Sequence, residues 1–105
     1  MASTTIDSGT TAFHTVSFFD KTGAAAVPTT VYSSLYGPNG IVLRIEIAEQ
    51  NPAAVMQLIT SLTENTLINP IAKTEPRRLR TRAVYAAGAD ELVTHTDYIV
   101  QKATL

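Results

Sequence analysis

Four of the chain's eight positive charges fall within six residues, at Arg77, Arg78, Arg80 and Arg82. On a β-strand, alternate side chains share a face at intervals of roughly 6.6 Å, so Arg78, Arg80 and Arg82 would form one row. A row of like charges repels itself unless something answers it. Three readings follow. Glu46, Asp97 and Glu91 on adjacent strands balance the row; or it docks an acidic protein surface; or it meets DNA. The last is disfavoured by a net charge of −1 and by the lack of aromatic residues between the arginines. Arg77, Arg78, Arg80 and Arg82 are therefore the candidate partner-binding residues, together with Ile6.

Other chemistry is sparse. The two histidines, His14 and His95, could join Asp97 or Asp20 around a metal, but nothing in their spacing asks for it. Asp90-Glu91, Glu46 and Glu49 read as solvated charges beside turns. No phosphate-binding glycine loop, nucleophile elbow or zinc-protease motif is present. The absence of cysteine excludes disulfides, thiol catalysis and cysteine-based zinc sites. No catalytic, cofactor-binding or metal-binding residue is expected, and composition points away from an enzyme.

The elements that must position these residues are strands. The 105 residues suit one domain. Thr (16), Val (8) and Ile (8) supply side chains that pack better on pleated surfaces than on helices. Met1–Ala12 holds one large apolar residue, Ile6, and is expected to be a flexible arm ordered by neighbours, ahead of a sandwich over 13–105. That segment has neither the basic nor the apolar stretch of a secretory leader, so none is expected. No apolar run approaches the ~20 residues that span a bilayer.

Phe13–Phe19 reads as a strand with His14, Val16 and Phe18 on one face. Asp20-Lys21-Thr22-Gly23 is a turn, and Thr29–Tyr36 is a second strand with Val31, Ser33 and Leu35 on one face. Gly37-Pro38-Asn39-Gly40 closes a hairpin, since Asn-Gly tolerates positive φ. Ile41–Ile47 then alternates Ile41, Leu43, Ile45 and Ile47 against Val42, Arg44 and Glu46, predicting a half-buried strand. Val55–Leu62 favours a strand. Thr63–Pro70 predicts one short helical turn capped by Thr63 and ended by Pro70. Arg77–Ala86 places Leu79, Thr81, Ala83 and Tyr85 opposite the arginine row. Glu91–Lys102 is the last strand, with Leu92, Thr94, Thr96, Tyr98 and Val100 on one face. The sum is an all-β, antiparallel Ig-like β-sandwich of six to seven strands with one short helical turn, lacking the Cys and Trp of immunoglobulin cores.

Phe18-Phe19-Asp20-Lys21-Thr22-Gly23, then Pro28-Thr29-Thr30 and Tyr32, resembles the opening of small Ig-like structural proteins of tailed bacteriophages. The hairpin Gly37-Pro38-Asn39-Gly40, the stretch Glu75-Pro76-Arg77-Arg78-Leu79-Arg80-Thr81 and the late Tyr98-Ile99-Val100 continue the resemblance, which spans Phe13 to Lys102. These motifs are turn and strand punctuation, specific to a fold more than to a role. The resemblance implies a non-enzymatic virion protein near the head or neck, such as a capsid decoration (cement) protein. Its expected partners are the major capsid protein or other virion proteins, with self-association into an oligomer. Its expected location is the virion, assembled in the host cytoplasm. No nucleic acid, membrane or cofactor is expected. The alternative is a head–tail, neck or tail-associated Ig-like module that binds a receptor or carbohydrate.

Overall fold

The structure, a computed structural model, describes residues 4–20, 22–69, 71–85 and 90–102, excepting the side chain of residue 90. Seven strands follow in chain order: β1 (Thr4–Asp7), β2 (Ala12–Ser17), β3 (Thr30–Tyr36), β4 (Val42–Ala48), β5 (Val55–Thr60), β6 (Thr74–Tyr85) and β7 (Asp90–Gln101). They form a five-stranded sheet, ordered β1-β7-β6-β3-β4, and a two-stranded sheet of β2 and β5. The fold is an all-β sandwich. Segregation of β2 and β5 from β4, β3, β6 and β7 is the Ig-like division into B, E and C′, C, F, G strands.

Strict alternation builds the core. Buried and exposed residues alternate through β2, β5 and most of β6. Val16, Met56 and Leu58 from the smaller sheet, and Phe18 just beyond β2, pack with Val31, Leu35, Leu79, Ala83, Tyr98 and Val100 from the larger, and Leu67 closes one end. The Asp20 turn forms as its sequence predicts. The Asp20 carboxylate accepts the Thr22 and Ala24 amides at 2.8 and 3.1 Å, and Gly23 takes φ 89°. The β3–β4 hairpin likewise turns through Asn39 (φ 57°) and Gly40 (φ 76°).

Four expectations are corrected. The sheet is mixed rather than wholly antiparallel, because β1 pairs in parallel with β7, Ile6 opposite Val100. Thr4–Asp7 is therefore an edge strand and not a free arm; Ile6 packs against the core, and the Gln101 side chain donates to Asp7 at 2.8 Å. The first three residues of the expected arm, 1–3, lie outside the described residues.

The helical turn is a 3-10 turn at Pro38–Gly40; after β5 there are only isolated hydrogen-bonded turns among the described residues. Ser61, not Thr63, is the capping residue. Its amide donates to the Glu64 carboxylate (2.8 Å) and its hydroxyl accepts the Glu64 amide (3.1 Å), a reciprocal capping box. Asn65 and Thr66 still donate back within the turn, to the Ser61 and Thr63 carbonyls at 3.0 and 3.3 Å, but the cap propagates no further because the amides after them are taken elsewhere: Leu67 by the Ser8 hydroxyl, Ile68 and Asn69 by Glu75. Pro70, the expected terminator, lies outside the described residues.

Finally, β4 does not keep its alternation. Register shifts against β3 on both sides of Leu35 set Arg44, not Ile45, opposite that inward residue. Ile45 is 75% exposed as a result. A bulge adds a residue to one strand and reverses the faces beyond it.

Because β1 is integral to the sheet, Ile6→Ala should lower the free energy of unfolding by about 1–2 kcal/mol, against about 3 kcal/mol or more for Leu79→Ala. Urea denaturation of the two variants checks both values.

Candidate interaction surfaces

Three surfaces can be built from the residues upward. The first is the outer face of the large sheet. Arg78, Arg80 and Arg82 project from β6 and are answered on both flanks. Arg78 makes a two-pronged pair with Asp97 of β7 (Nε–Oδ1 2.7 Å, Nη2–Oδ2 3.0 Å). Arg80 donates to Glu46 of β4 at 3.1 Å. Arg82 clasps Glu46 (2.7 and 3.1 Å), reaches Glu91 at 3.1 Å, and lies 4.2 Å over the Tyr32 ring. The three arginines and three carboxylates thus form a ladder within the chain.

The carboxylates carry the electrical signature. The Arg82 hydrogen bond holds Glu46 below the usual carboxylate range, and the Arg78 hydrogen bond does the same for Asp97. Such exposed pairs are individually weak and are screened by salt. They fix side-chain geometry more than they stabilise the fold.

Arg77 is a different matter. It belongs to the inward set of β6 and is 1% exposed, so it is a core residue and not a partner-binding one. Its guanidinium donates to the Thr66 carbonyl (2.9 Å), the Pro76 carbonyl (3.2 Å) and the Glu64 carbonyl (3.3 Å), and pairs with Glu75 at 3.1 Å. Burial pushes the Glu75 carboxyl up, but the Asn69 and Ile68 amides and Arg77 outweigh it and hold the group low. Strand alternation already gave Arg77 the parity of Leu79 and Thr81. That is the signal by which it could have been separated from the row.

The second surface is the β4 edge. Val42, Ile45 and Ile47, and Ile41 just before them, are all exposed there, on a strand whose outer side pairs with no other strand among the described residues. Unpaired backbone beside apolar side chains is a template for another chain, though the bulges of β4 restrict which one. Ile6, at the opposite edge, is turned into the core. The third surface is the outside of the small sheet, where Phe13 (60% exposed) stands opposite Ile59, with Val55 further along.

The histidines lie apart. His95 faces outward opposite Arg80 in register, whereas His14 is buried. His14 Nε2 lies 2.9 Å from the Thr60 hydroxyl and its ring 4.6 Å from that of Tyr98. Asn65 completes the group. Its amide nitrogen donates to Thr60 Oγ1 (2.8 Å) and to the Thr10 carbonyl (3.0 Å), and its Oδ1 accepts the Tyr98 hydroxyl at 2.7 Å. Burial, then Arg44, pushes His14 down, and burial pushes the Tyr98 phenol up. The sequence alone carried no signal for this cluster, whose members come from β2, β5, β7 and a loop. Among the described residues, no three His, Asp or Glu side chains converge in a way that would hold a metal ion.

Two open clefts border these surfaces. One, of about 440 Å³, is lined by Tyr36, Gly37, Arg78 and Asp97 among others; the second, of about 410 Å³, runs between β1 and β2 and reaches His14. The fold and surfaces define a small Ig-like sandwich whose exposed features are sheet edges and an ion-paired face. No protein-family model, curated protein or solved structure matches the chain.

Arg77→Met should cost about 3–5 kcal/mol by leaving Glu75 buried without its cation. Replacing Arg78, Arg80 and Arg82 together with Gln should change the melting temperature less, by an amount that shrinks with added salt. Thermal melts at low and high ionic strength compare the two.

His14 sets a pH dependence. Its folded pKa lies below the unfolded value of about 6.5, so the unfolded chain takes up the proton first. Stability is full above that value and declines as pH falls from it toward the folded pKa. His14→Gln should remove this slope, as measured by denaturation at a series of pH values. A separate loss, from Glu46, Glu75 and Asp97, begins below about pH 4.5 as these carboxylates protonate.

Proposed function

We propose that the chain is a non-enzymatic structural protein of a tailed-bacteriophage virion, a capsid decoration protein that binds the major capsid protein or another virion component through its sheet edges. The observation that carries this reading is the β4 edge: three large apolar side chains, Val42, Ile45 and Ile47, with Ile41 just before them, exposed along a strand unpaired on its outer side among the described residues. An isolated soluble monomer gains nothing from such an edge, and natural sheets usually blunt theirs with charge or proline. The resemblance of the turn and strand motifs to small Ig-like virion proteins supports the same reading, and supplies the kind of partner. The arginine ladder adds a rigid, charge-patterned face beside that edge, suited to setting orientation more than affinity. Both the proposed self-association and the virion location belong to this reading.

The second reading, a neck- or tail-associated module binding a receptor or carbohydrate, draws support from one feature. The cleft beside Tyr36 pairs an aromatic wall with Arg78 and Asp97, groups of opposite hydrogen-bonding character.

Mass spectrometry and electron microscopy of virions purified from the source of the gene, with and without it, test the proposal. The expected result is extra density on the capsid only when the gene is present. Virions that never contain the protein overturn it, and density on the tail alone selects the second reading. Ile45→Lys should leave the melting temperature nearly unchanged, since Ile45 is solvent-exposed, while lowering particle occupancy about tenfold or more.

A further inference from the structure

In an antiparallel pair, every second residue turns both its N–H and its C=O toward the partner strand, and the residues between turn theirs away. Just beyond β2, the Phe18 amide donates to the Ala54 carbonyl at 2.8 Å, which fixes the phase of the small sheet. Ala12, His14 and Val16 turn their backbone to β5, and Phe13, Thr15 and Ser17 turn theirs to the other side. The far side of β5 agrees: the Ile59 carbonyl, in register with Phe13, accepts Arg44 Nη1 of β4 at 3.3 Å. Among the described residues no strand pairs with β2 on its outward side. The cleft of about 410 Å³ lies along that side, walled by Thr4 and Ile6 of β1 and by Thr96 of β7.

The other edges suit a copy of themselves less well. β1 is four residues long and ends in Asp7. β4 shifts twice in register, and its Arg44 and Glu46 are taken by Glu64 and by Arg80 and Arg82. β5 is crossed by Arg44 at Ile59. β2 has none of these features. It pairs with β5 without a register shift and contains no charged residue and no proline, and the outward residues of β5 beside it, Val55, Gln57 and Ile59, are uncharged too. Natural sheets usually blunt an edge with charge, proline or a bulge, and β2 is left unblunted. About a two-fold axis a strand meets its own residues, so an uncharged strand meets no charge of its own sign.

We propose that two copies of this chain join through β2, antiparallel about a two-fold axis at Thr15, so that their two-stranded sheets merge into one. Thr15 then opposes Thr15 of the second copy, and Phe13 opposes Ser17. This register uses the backbone groups of all three outward-turned residues, in opposed pairs that exchange two hydrogen bonds each. On the inward side His14 falls opposite Val16. The incoming strand lies along the cleft, whose walls carry no charge. The merged sheet presents one uncharged outer face that includes Phe13 and Ile59, 60% and 51% exposed in the single chain. The inference deepens the self-association in the proposed function by naming its interface; it rests on that part of the reading and not on the virion partner.

Sedimentation of the purified full chain over a range of concentrations tests the proposal. The expected species is a dimer in reversible equilibrium with the monomer. Thr15→Lys and Thr15→Glu each set like charges against one another at the axis, on a side chain that is exposed in the single chain. Each should weaken the dimer about tenfold or more at low salt, with circular dichroism confirming the fold. An equimolar mixture of the two variants should restore it as a heterodimer. Ile45→Lys, on the β4 edge, should leave the dimer unchanged. A wild-type chain that stays monomeric at every concentration overturns the inference. So does a dimer that Thr15→Lys leaves intact or Ile45→Lys abolishes, or a mixture of the two Thr15 variants that stays monomeric. None of these outcomes touches binding to a virion partner, which the particle experiment decides separately.

Discussion

The sandwich depends on a buried ion pair placed two residues apart on one strand. Glu75 and Arg77 both point inward from β6, and neither is spent on the other alone. Glu75 accepts two consecutive loop amides, at Ile68 and Asn69, while Arg77 donates to the carbonyls of Glu64 and Thr66. An isolated buried charge would be ruinous, and a buried pair only breaks even if its remaining hydrogen-bonding capacity is used. Here that capacity is used on backbone. The connection from β5 to β6, which has no regular structure of its own among the described residues, becomes a fixed wall across the end of the core.

That wall organises what lies behind it. Asn65, held in the same loop, donates to the Thr10 carbonyl, while its own carbonyl accepts the Gly9 amide at 3.0 Å. The β1–β2 connection is thereby tied to the β5–β6 connection, and the two sheets are clamped at one end. The clamp matters because the sheets are unequal. With only β2 and β5 opposing five strands, apolar packing alone covers part of the large sheet, and the polar loop covers another part. Pro76 sits between Glu75 and Arg77 without harm, because β3 stops pairing at Arg78 and, among the described residues, no strand pairs with that stretch of β6 on that side.

The outer face follows a different logic. Its ion pairs are exposed, share Glu46 between Arg80 and Arg82, and hold three arginines at defined spacings, one of them over Tyr32. They maintain a surface. The inner pair maintains the fold. β4 lends Glu46 to the outer ladder, but its exposed apolar side chains, Val42, Ile45 and Ile47, take part in neither scheme, which is why they carry the functional reading.

Much of this architecture was legible in the sequence. Period-two alternation set the inward faces of β2, β3 and β6, Asn39-Gly40 set the hairpin, and the carboxylates expected to answer the arginine row, Glu46, Asp97 and Glu91, are the ones that do. These are local facts: pleat, turn chemistry and opposite charges on neighbouring strands follow from spacing. The errors have a common cause. Ile41–Ile47 alternates cleanly, yet a bulge, which depends on how β3 and β4 meet, reversed part of its pattern. Thr4–Asp7 looks too polar to order itself, yet β7 supplied the hydrogen bonds that an isolated segment lacks. Ser61–Asn69 carries a capping signature, yet Glu75 and Ser8, distant or across the core, took the amides a helix would need. The cluster of His14, Thr60, Asn65 and Tyr98 had no signature at all, because hydrogen bonds between residues as many as 46 positions apart exist only once the sheets have closed. Side-chain spacing settles which residues face inward on a regular strand; where the strands stop being regular, and which buried polar groups meet, depends on partners across the fold that spacing along the chain does not encode.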